Sequence, residues 1–343
     1  MRLFFIICIY VFIAKDSLGN NIFDTKDYIL DFKSENIISE KNYQINQIKL
    51  KSFQLILSNI LTEDNYQLIN KAIDPLFVNK FILNIKIKNE KIINNNYYAI
   101  IKINYNKNSI IDYLITNKIN YVNYFPPKFL IIISEENEIE NNSLSKNNNY
   151  YKYLFESKKL LDYNFALPNL DYNDRFLFNN DLYEKNSFNS FNEIKNKYKK
   201  NLILFVDSKK IKDTYNIKSF LFDNTDKYLI TEINVKDINY KDLFFIINYK
   251  SIDKWKEINE INTSITNEID CKININNQAE LMFVSNLLKS ERIINMITLK
   301  SIKYKENVYK IVYFGEIDIL KKTLNRYRLK LTIQNNICSI MII

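Results

Sequence analysis

The sequence predicts a multi-domain protein of mixed α+β and α/β class, and three observations support that prediction. The chain has 343 residues, which is enough for two or three domains of ordinary size. Segments whose apolar residues alternate with a period of two are interleaved with segments whose apolar residues recur every three or four positions. Pro126 and Pro127 stand side by side between two such series, and adjacent prolines are typical of a boundary.

The first predicted module spans residues 22–121 and has the element order β-α-β-β-α. After a short opening strand, apolar residues at helical spacing over 53–60 predict a helix. Period-two segments at 83–87 and 99–103 then predict two strands, and a short helix closes the module. Three asparagines at 94–96 supply the turn between the strands, because Asn tolerates left-handed backbone.

The middle module spans residues 126–236 and is predicted to hold a mainly parallel sheet. A continuous apolar run at 129–133 is typical of a strand that is buried on both faces. Helical segments alternate with further strands after it, including one at 202–206, and such alternation favours parallel strands. A linking helix within residues 237–266 is predicted to lead into the last module.

The last module, residues 267–343, is predicted to be ferredoxin-like because its elements follow the order β-α-β-β-α-β. Asn335 and Asn336 can turn the closing strand into a further extended segment. Gly315 stands at a junction between a strand and a helix. A demand for an unusual backbone angle would explain why one of only two glycines is found there.

Composition excludes several common classes of enzyme. The chain has no histidine, which excludes Ser-His-Asp and Cys-His catalysis and every zinc site that needs His. Its two glycines cannot build a phosphate-binding loop or a dinucleotide-binding turn. Three cysteines are too few for an all-Cys zinc site. We therefore predict no cofactor, and the sequence inclines away from an enzyme.

The positive charge is weak evidence for a nucleic-acid partner. The formal net charge is +9, from 48 basic and 39 acidic residues. Only five of the basic residues are arginines, the residue that most often binds base edges. The abundance of Lys, Asn, Ile, Tyr and Phe indicates drift toward residues with A+T-rich codons, which explains the lysine excess. No nucleic acid is therefore expected as a partner.

Residues 1–19 have the pattern of a secretory signal peptide. Arg2 precedes an apolar run at 3–14, and the small residues Ser17 and Gly19 suit a cleavage site. The run is shorter than the roughly 20 residues that a membrane span needs. We therefore expect export to the periplasm or cell envelope, with no transmembrane span after removal of the signal. A retained N-terminal anchor is the alternative.

Cys271 and Cys338 both lie in the last module, and export would place them in an oxidising compartment where they can form a disulfide. Two buried thiols that pack as small hydrophobic groups are the alternative. Trp255 lies between Lys254 and Lys256; it is expected in the core, although tryptophan is also enriched at partner contacts. Trp255 and Gly315 are therefore predicted to be structural residues.

The most site-like stretch is Leu-Pro-Asn-Leu-Asp-Tyr-Asn-Asp-Arg at residues 167–175. Asp171 and Asp174 follow a predicted strand, where open α/β sheets bind ligands, and two carboxylates can hold a cation or act as acid and base. A loop ordered by Asx turns and helix caps is the alternative. Three other aspartates could join such a cluster, namely Asp162, Asp181 and Asp207.

The order of these features resembles the proteobacterial domain-of-unknown-function family 2066, in a form with an extra C-terminal ferredoxin-like unit. The resemblance covers nearly the whole mature chain. Its residues are Pro-Pro-Lys-Phe-Leu-Ile-Ile at 126–132, Leu-Pro-Asn-Leu-Asp-Tyr-Asn-Asp at 167–174, Asn-Lys-Tyr at 196–198, Lys-Trp-Lys at 254–256 and Tyr-Phe-Gly-Glu at 313–316. The resemblance implies an exported bacterial envelope protein. It implies no established activity, so no catalytic residue is transferred.

Two functions follow as expectations. The first is a periplasmic, non-enzymatic interaction or assembly protein that binds a protein partner in the envelope, because the small modules show no catalytic constellation. The second is a carboxylate-dependent hydrolase, with or without a metal, that uses Asp171 and Asp174.

Overall fold

Ten helices and three sheets form in the part of the chain that the structure describes, which confirms the predicted multi-domain mixture of helices and strands. The computed structural model describes residues 22–343 except 137–144, 146, 158–160, 162, 178–187, 201, 224–225, 275–276, 304–305 and 335–336. The chain divides into two compact units. Among the described residues, unit 1 combines 22–125 with Asn259–Ile343, and unit 2 is Pro126–Ile258.

The N-terminal part of unit 1 is a three-stranded antiparallel sheet with helices. Its elements are β1 (Tyr28–Lys33), α1 (Ile37–Ile60), α2 (Glu63–Asn70), α3 (Pro75–Asn79), β2 (Ile82–Ile93), β3 (Asn96–Tyr105) and α4 (Lys107–Thr116). The sheet order is β1-β3-β2. Helix α1 packs on β3, where the tilted rings of Phe53 and Tyr105 have centroids 5.5 Å apart. The predicted β-α-β-β-α order is found, with two additional short helices.

The C-terminal part of unit 1 contains a five-stranded sheet with one strand more than a ferredoxin-like unit has. Its elements are β9 (Thr266–Asn274), α9 (Gln278–Ser290), β10 (Ile294–Lys303), β11 (Glu306–Phe314), α10 (Ile317–Asn325), β12 (Leu329–Gln334) and β13 (Ile337–Ile342). The sheet order is β10-β11-β9-β13-β12. Strand β13 therefore lies between β9 and β12, parallel to β9 and antiparallel to β12. The predicted β-α-β-β-α-β order is found in full from β9 to β12, and the sheet differs from a ferredoxin-like one because β13 lies between β9 and β12.

A disulfide joins the inserted strand to the centre of its sheet. Cys338 of β13 faces Cys271 of β9 in the parallel register, with the two Cα atoms 4.5 Å apart. Both residues are buried. The bond therefore holds β13 in place between β9 and β12.

Gly315 occupies the turn from β11 into α10 with a φ of 73°, in the left-handed region that favours glycine. Its N–H donates to the carbonyl oxygen of Ile265 at 2.9 Å, and its own carbonyl accepts from Asn267 Nδ2 at 2.9 Å. A Cβ atom at this position would lie 3.0 Å from the backbone nitrogen of Asn262. Both backbone angle and space therefore require glycine here.

Unit 2 is a five-stranded mixed sheet with helices on both faces. Its elements are β4 (Phe129–Glu136), α5 (Asn149–Ser157), β5 (Phe165–Ala166), α6 (Tyr172–Leu177), α7 (Phe188–Tyr198), β6 (Ile203–Ile211), β7 (Thr214–Phe222), β8 (Lys227–Val235) and α8 (Tyr240–Asn259). The sheet order is β5-β4-β6-β7-β8. Strand β4 is parallel to β5 and β6, whereas β7 pairs antiparallel with both β6 and β8.

The sheet of unit 2 differs from the mainly parallel sheet expected from the sequence. Strands β6 and β7 are joined through only Lys212 and Asp213, with Lys212 at a φ of 53°. A two-residue connection can only join antiparallel neighbours, since a parallel pair needs a longer crossover. Lys-Asp lacks the Asn or Gly that usually signals such a hairpin.

Helices α7 and α8 cover opposite faces of this sheet. On one face, Ile194 of α7 packs with Leu130, Ile132 and Phe205. On the other, the Phe244 ring of α8 lies 6.2 Å from that of Phe165. Trp255 of α8 is buried as well. The helix expected to link two modules is thus part of the core of unit 2 up to Ile258.

Candidate functional site

The loop after β5 carries Asp171 and Asp174, and helices α5 and α7 contact it. Leu170, in the middle of the loop, is buried in the core cluster that contains Leu130 of β4 and Ile194 of α7. Tyr151 of α5 donates its hydroxyl hydrogen to the carbonyl oxygen of Pro168 at 2.8 Å. The loop is therefore fixed to the core by one apolar side chain and to α5 by one hydrogen bond.

Both carboxylates of the loop bind one lysine. Lys197 Nζ lies 2.6 Å and 2.8 Å from the two carboxylate oxygens of Asp171, and 2.7 Å from Oδ1 of Asp174. The next residue of α7, Tyr198, donates its hydroxyl hydrogen to Oδ2 of Asp174 at 2.5 Å. The side chain of Asp174 is only 2% exposed, against 45% for Asp171. Helix α7 thus supplies partners for both aspartates.

The spacing of the two aspartates is that of a capping box at the start of α6. The backbone N–H of Asp174 donates to Oδ1 of Asp171 at 2.9 Å, and the N–H of Asp171 donates back to Oδ2 of Asp174 at 3.3 Å. A reciprocal pair of this kind satisfies two backbone donors that a helix leaves unpaired at its N-terminus. The geometry therefore favours the helix-cap alternative that the sequence left open.

Hydrogen bonds and burial shift the pKa values of Asp171, Lys197 and Tyr198 away from neutrality. Hydrogen bonding to Lys197 holds the pKa of the Asp171 carboxyl below its usual range. Partial burial opposes the charge of Lys197, but hydrogen bonds to both aspartates keep the pKa of its ammonium above the ordinary value. Burial, and then hydrogen bonding to Asp174, raises the pKa of Tyr198 to about 12. General acid–base catalysis needs a pKa near the working pH, and none of these three groups provides one near neutrality.

The network is also unsuited to a metal ion. Lys197 Nζ occupies the position between the two carboxylates, where a cation would have to bind. Ca²⁺ takes six to eight oxygen ligands, and Mg²⁺ needs near-octahedral oxygen coordination. Within the ranges that the structure describes, no group of three or more His, Cys, Asp or Glu side chains is placed to hold a metal.

A cavity of about 300 Å³ opens next to the loop. Its lining residues come from α5 and the loop: Tyr151, Lys152, Phe155, Glu156, Asn169 and Leu170. The Tyr151 and Phe155 rings are stacked, with centroids 6.3 Å apart and an interplanar angle of 17°. Phe155 is 65% exposed although it is aromatic. We define these six residues as the α5 pocket.

The loop bordering the α5 pocket has a strained backbone. Leu170 has a φ of 57°, and a left-handed conformation costs an ordinary L-residue about 1–2 kcal/mol. The neighbouring backbone is held by Tyr151 at Pro168 and by Tyr198, whose hydroxyl oxygen accepts from the N–H of Asn169 at 2.8 Å. Such strain persists where the surroundings over-determine it, and it is enriched at ligand-binding positions.

Sequence reasoning located the loop but missed its partners. Lys197 belongs to the Asn-Lys-Tyr stretch of the family resemblance and to a basic run at 195–200, but none of Lys197, Tyr198, Tyr151 and Phe155 is predicted to be a site residue. These residues come from two helices on either side of the loop in the chain, so spacing does not reveal their contact. An i,i+4 aromatic pair on the helix predicted near residues 150–161 could have indicated the stacked wall.

The other predicted site residues lie elsewhere. Asp207 lies within β6, which extends to Ile211 instead of ending at residue 206 as predicted, and it is in register with Ser134 and Lys218. Asp162 and Asp181 are outside the described residues, as is the predicted signal segment. In the described part of the chain, no helix is both long enough and apolar enough to span a membrane.

No protein-family model, curated protein or solved structure matches the chain. The resemblance to family 2066 therefore stays a prediction. No residue of the loop or of the α5 pocket receives a role from a relative.

Proposed function

We propose that the protein is an exported, non-enzymatic interaction or assembly factor of the bacterial cell envelope. The supporting observation is the division of roles at the loop of unit 2. Asp171 and Asp174 cap α6 and bind Lys197, while the adjacent α5 pocket presents an exposed aromatic wall. The two carboxylates therefore hold the loop and α6 in place. The exposed side chains of the α5 pocket are suited to binding.

Further exposed aromatic side chains support binding to a protein. Phe245 and Tyr249 lie one helical turn apart on α8 and are 65% and 47% exposed. Tyr172, on α6 beside the loop, is also exposed. Aromatic residues are enriched at protein interfaces, where they supply much of the binding energy.

Two observations and the predicted resemblance to family 2066 support the proposed envelope location. The disulfide between Cys271 and Cys338 is of the kind that persists in oxidising compartments and is rare in the cytosol. Residues 1–19 have the basic, apolar and small-residue order of a signal peptide. The resemblance to family 2066 implies the same location.

The hydrolase alternative stays a prediction without a supporting observation. A nucleophile or general base at this site would need a carboxylate that is free to take a proton or hold a cation. Asp174 is buried against Lys197 and Tyr198, and Asp171 is bound by Lys197 and by the helix cap. The ion pairs with Lys197 therefore weigh against this function.

Affinity purification from envelope fractions tests the proposed function. The full chain carries a C-terminal tag, and the same purification from the cytoplasmic fraction is the control. We expect a stable, stoichiometric protein partner from the envelope fraction only. Repeated failure to recover one, together with turnover of a defined substrate, would contradict the proposal.

Location is tested separately by fractionation and by N-terminal sequencing of the mature protein. Export predicts a periplasmic or envelope-associated chain that begins close to Gly19. A full-length chain in the cytoplasm with reduced Cys271 and Cys338 would contradict export without bearing on the binding role.

A further inference from the structure

The α5 pocket has the size and the walls of a site for one aromatic side chain. Its volume of about 300 Å³ is at the lower limit of the roughly 300–1,000 Å³ found for small-molecule sites. Tyr151 and Phe155 form a stacked wall, and the buried Leu170 side chain adds apolar surface. A third ring can extend this wall by the offset or edge-to-face contacts that aromatic groups favour.

The polar groups of the pocket match those of a peptide. In the described part of the chain, the Asn169 carboxamide makes no hydrogen bond, and neither Lys152 nor Glu156 makes an ion pair. A carboxamide offers two donors and one acceptor oxygen, so it can pair with the N–H and C=O of a peptide backbone. Lys152 and Glu156 add one charge of each sign for flanking side chains of the ligand.

The charge around the pocket is unfavourable for a polyanion. The lining of the pocket carries one charge of each sign, from Lys152 and Glu156, so it has no net positive charge. Nucleic acids and phosphate-rich surfaces require a concentration of basic groups. A neutral or mixed-charge ligand fits this balance better.

The backbone of the pocket is fixed before any ligand binds. Leu170 has a left-handed backbone, and the two residues before it are held by hydrogen bonds: the Tyr151 hydroxyl donates to the Pro168 carbonyl oxygen, and the Asn169 N–H donates to the Tyr198 hydroxyl oxygen. The backbone of Asn169 therefore has a defined position next to the aromatic wall. Pre-organisation of this kind lowers the ordering cost of binding.

We infer that the α5 pocket binds an extended peptide segment of a partner protein, seating one aromatic side chain against Tyr151 and Phe155 while Asn169 bonds the peptide backbone. The inference rests on the proposed function and deepens it, because it identifies the surface and the chemistry of the partner. The ligand complements the pocket through one aromatic ring, one backbone amide and side chains that carry charges of both signs.

The test uses the full chain and N-acetyl-phenylalaninamide, which combines one ring with two amide groups. Ligand-observed saturation-transfer NMR should show saturable binding with a dissociation constant of about 1 mM, strongest at the ring protons. N-acetyl-alaninamide, which lacks the ring, and benzyl alcohol, which lacks the amides, should each bind about tenfold more weakly.

Two matched variants locate the binding. Phe155→Ala should weaken it about tenfold, whereas Phe245→Ala should leave it unchanged. Both phenylalanines are 65% exposed and both lie on helices of unit 2, so the same truncation is made at equal exposure. Because neither side chain is in the core, both variants should keep the circular dichroism spectrum of the wild type.

Three results would overturn the inference: no saturable binding of N-acetyl-phenylalaninamide, equal binding to Phe155→Ala, or benzyl alcohol binding as tightly as the amide. The last result would indicate a site for small aromatic molecules instead of peptides. The envelope purification separates this inference from the proposed function. A partner that is recovered equally by wild type and Phe155→Ala would contradict the pocket and leave the function standing.

Discussion

Replacing Asp174 by Asn tests whether the aspartate pair is structural. The substitution keeps the shape of the side chain but removes the charge that Lys197 Nζ binds at 2.7 Å. It also exchanges one acceptor oxygen for a donor amide, although the other oxygen can still accept from Tyr198 or from the N–H of Asp171. Lys197 keeps Asp171 as a partner.

The cost follows from burial. Removing one partner of a fully buried ion pair costs about 3–5 kcal/mol, because the other charge is left uncompensated. Asp174 is 2% exposed, but Lys197 is 24% exposed and retains a second carboxylate, which reduces that cost. Hydrogen bonds to charged groups contribute about 1.5–3 kcal/mol each, and one or two are weakened. We therefore expect Asp174→Asn to lower the free energy of unfolding of unit 2 by about 2–4 kcal/mol.

The single tryptophan makes the assay specific to unit 2. Trp255 is buried on α8, so its fluorescence reports unfolding of unit 2 during a urea titration. A loss of this size should lower the urea midpoint by about 1–2 M. Glu232→Gln is the matched control. Its ion pair with Lys218, at 2.9 Å, has side chains 43% and 37% exposed, so its loss should cost less than about 1 kcal/mol.

Equal midpoints for Asp174→Asn, Glu232→Gln and the wild type would refute the structural interpretation. The Asp174 carboxylate would then be held without contributing to stability, as expected for a group that serves a chemical role instead of a structural one. Loss of a measurable hydrolytic activity in the same, fully stable variant would favour the hydrolase.

Gly315→Ala should destabilise unit 1 by about 1–3 kcal/mol, because φ is 73° and a Cβ would lie 3.0 Å from the Asn262 nitrogen; unchanged hydrogen exchange in β11 would contradict this. Replacing Cys271 and Cys338 by serine should lower the free energy of unfolding by about 4 kcal/mol, because the disulfide closes a loop between residues 67 apart in sequence. Thermal unfolding under oxidising conditions measures this loss, and an unaltered transition would contradict it. The pKa of Tyr198 is raised from 10.0 to about 12, so the folded chain retains a proton that the unfolded chain releases. The stability that this proton contributes is complete below pH 10 and is lost as pH rises through about 12. Urea titrations should therefore show a smaller alkaline loss of unfolding free energy for Tyr198→Phe than for the wild type. Equal losses in the two proteins would contradict this.

Local patterns in the sequence predicted much of unit 1. The helical spacing over 53–60 corresponds to the buried face of α1, because a helix must bury one stripe of side chains. The asparagine turn forms as expected, with Asn94 at a φ of 47° and Asn95 at 65°. These features depend only on residues close in sequence.

Non-local pairings could not be predicted in the same way. Nothing in the apolar pattern of segment 337–343 shows that β13 inserts beside β9 instead of extending the edge of the sheet. The loop aspartates illustrate the same limit. Their spacing suits a cation site as well as a capping box, and the choice depends on Lys197, which is more than 20 residues away in the chain.

Partner recovery by two variants tests most directly whether the protein binds or catalyses. Asn is as good a helix cap as Asp, so Asp171→Asn should fold and should retain the envelope partner. Phe155→Ala should lose the partner while remaining folded, since its side chain is 65% exposed. Failure of the wild type to recover any partner, together with hydrolysis of a defined substrate that is abolished in Asp171→Asn and preserved in Phe155→Ala, would contradict a binding role and favour the hydrolase.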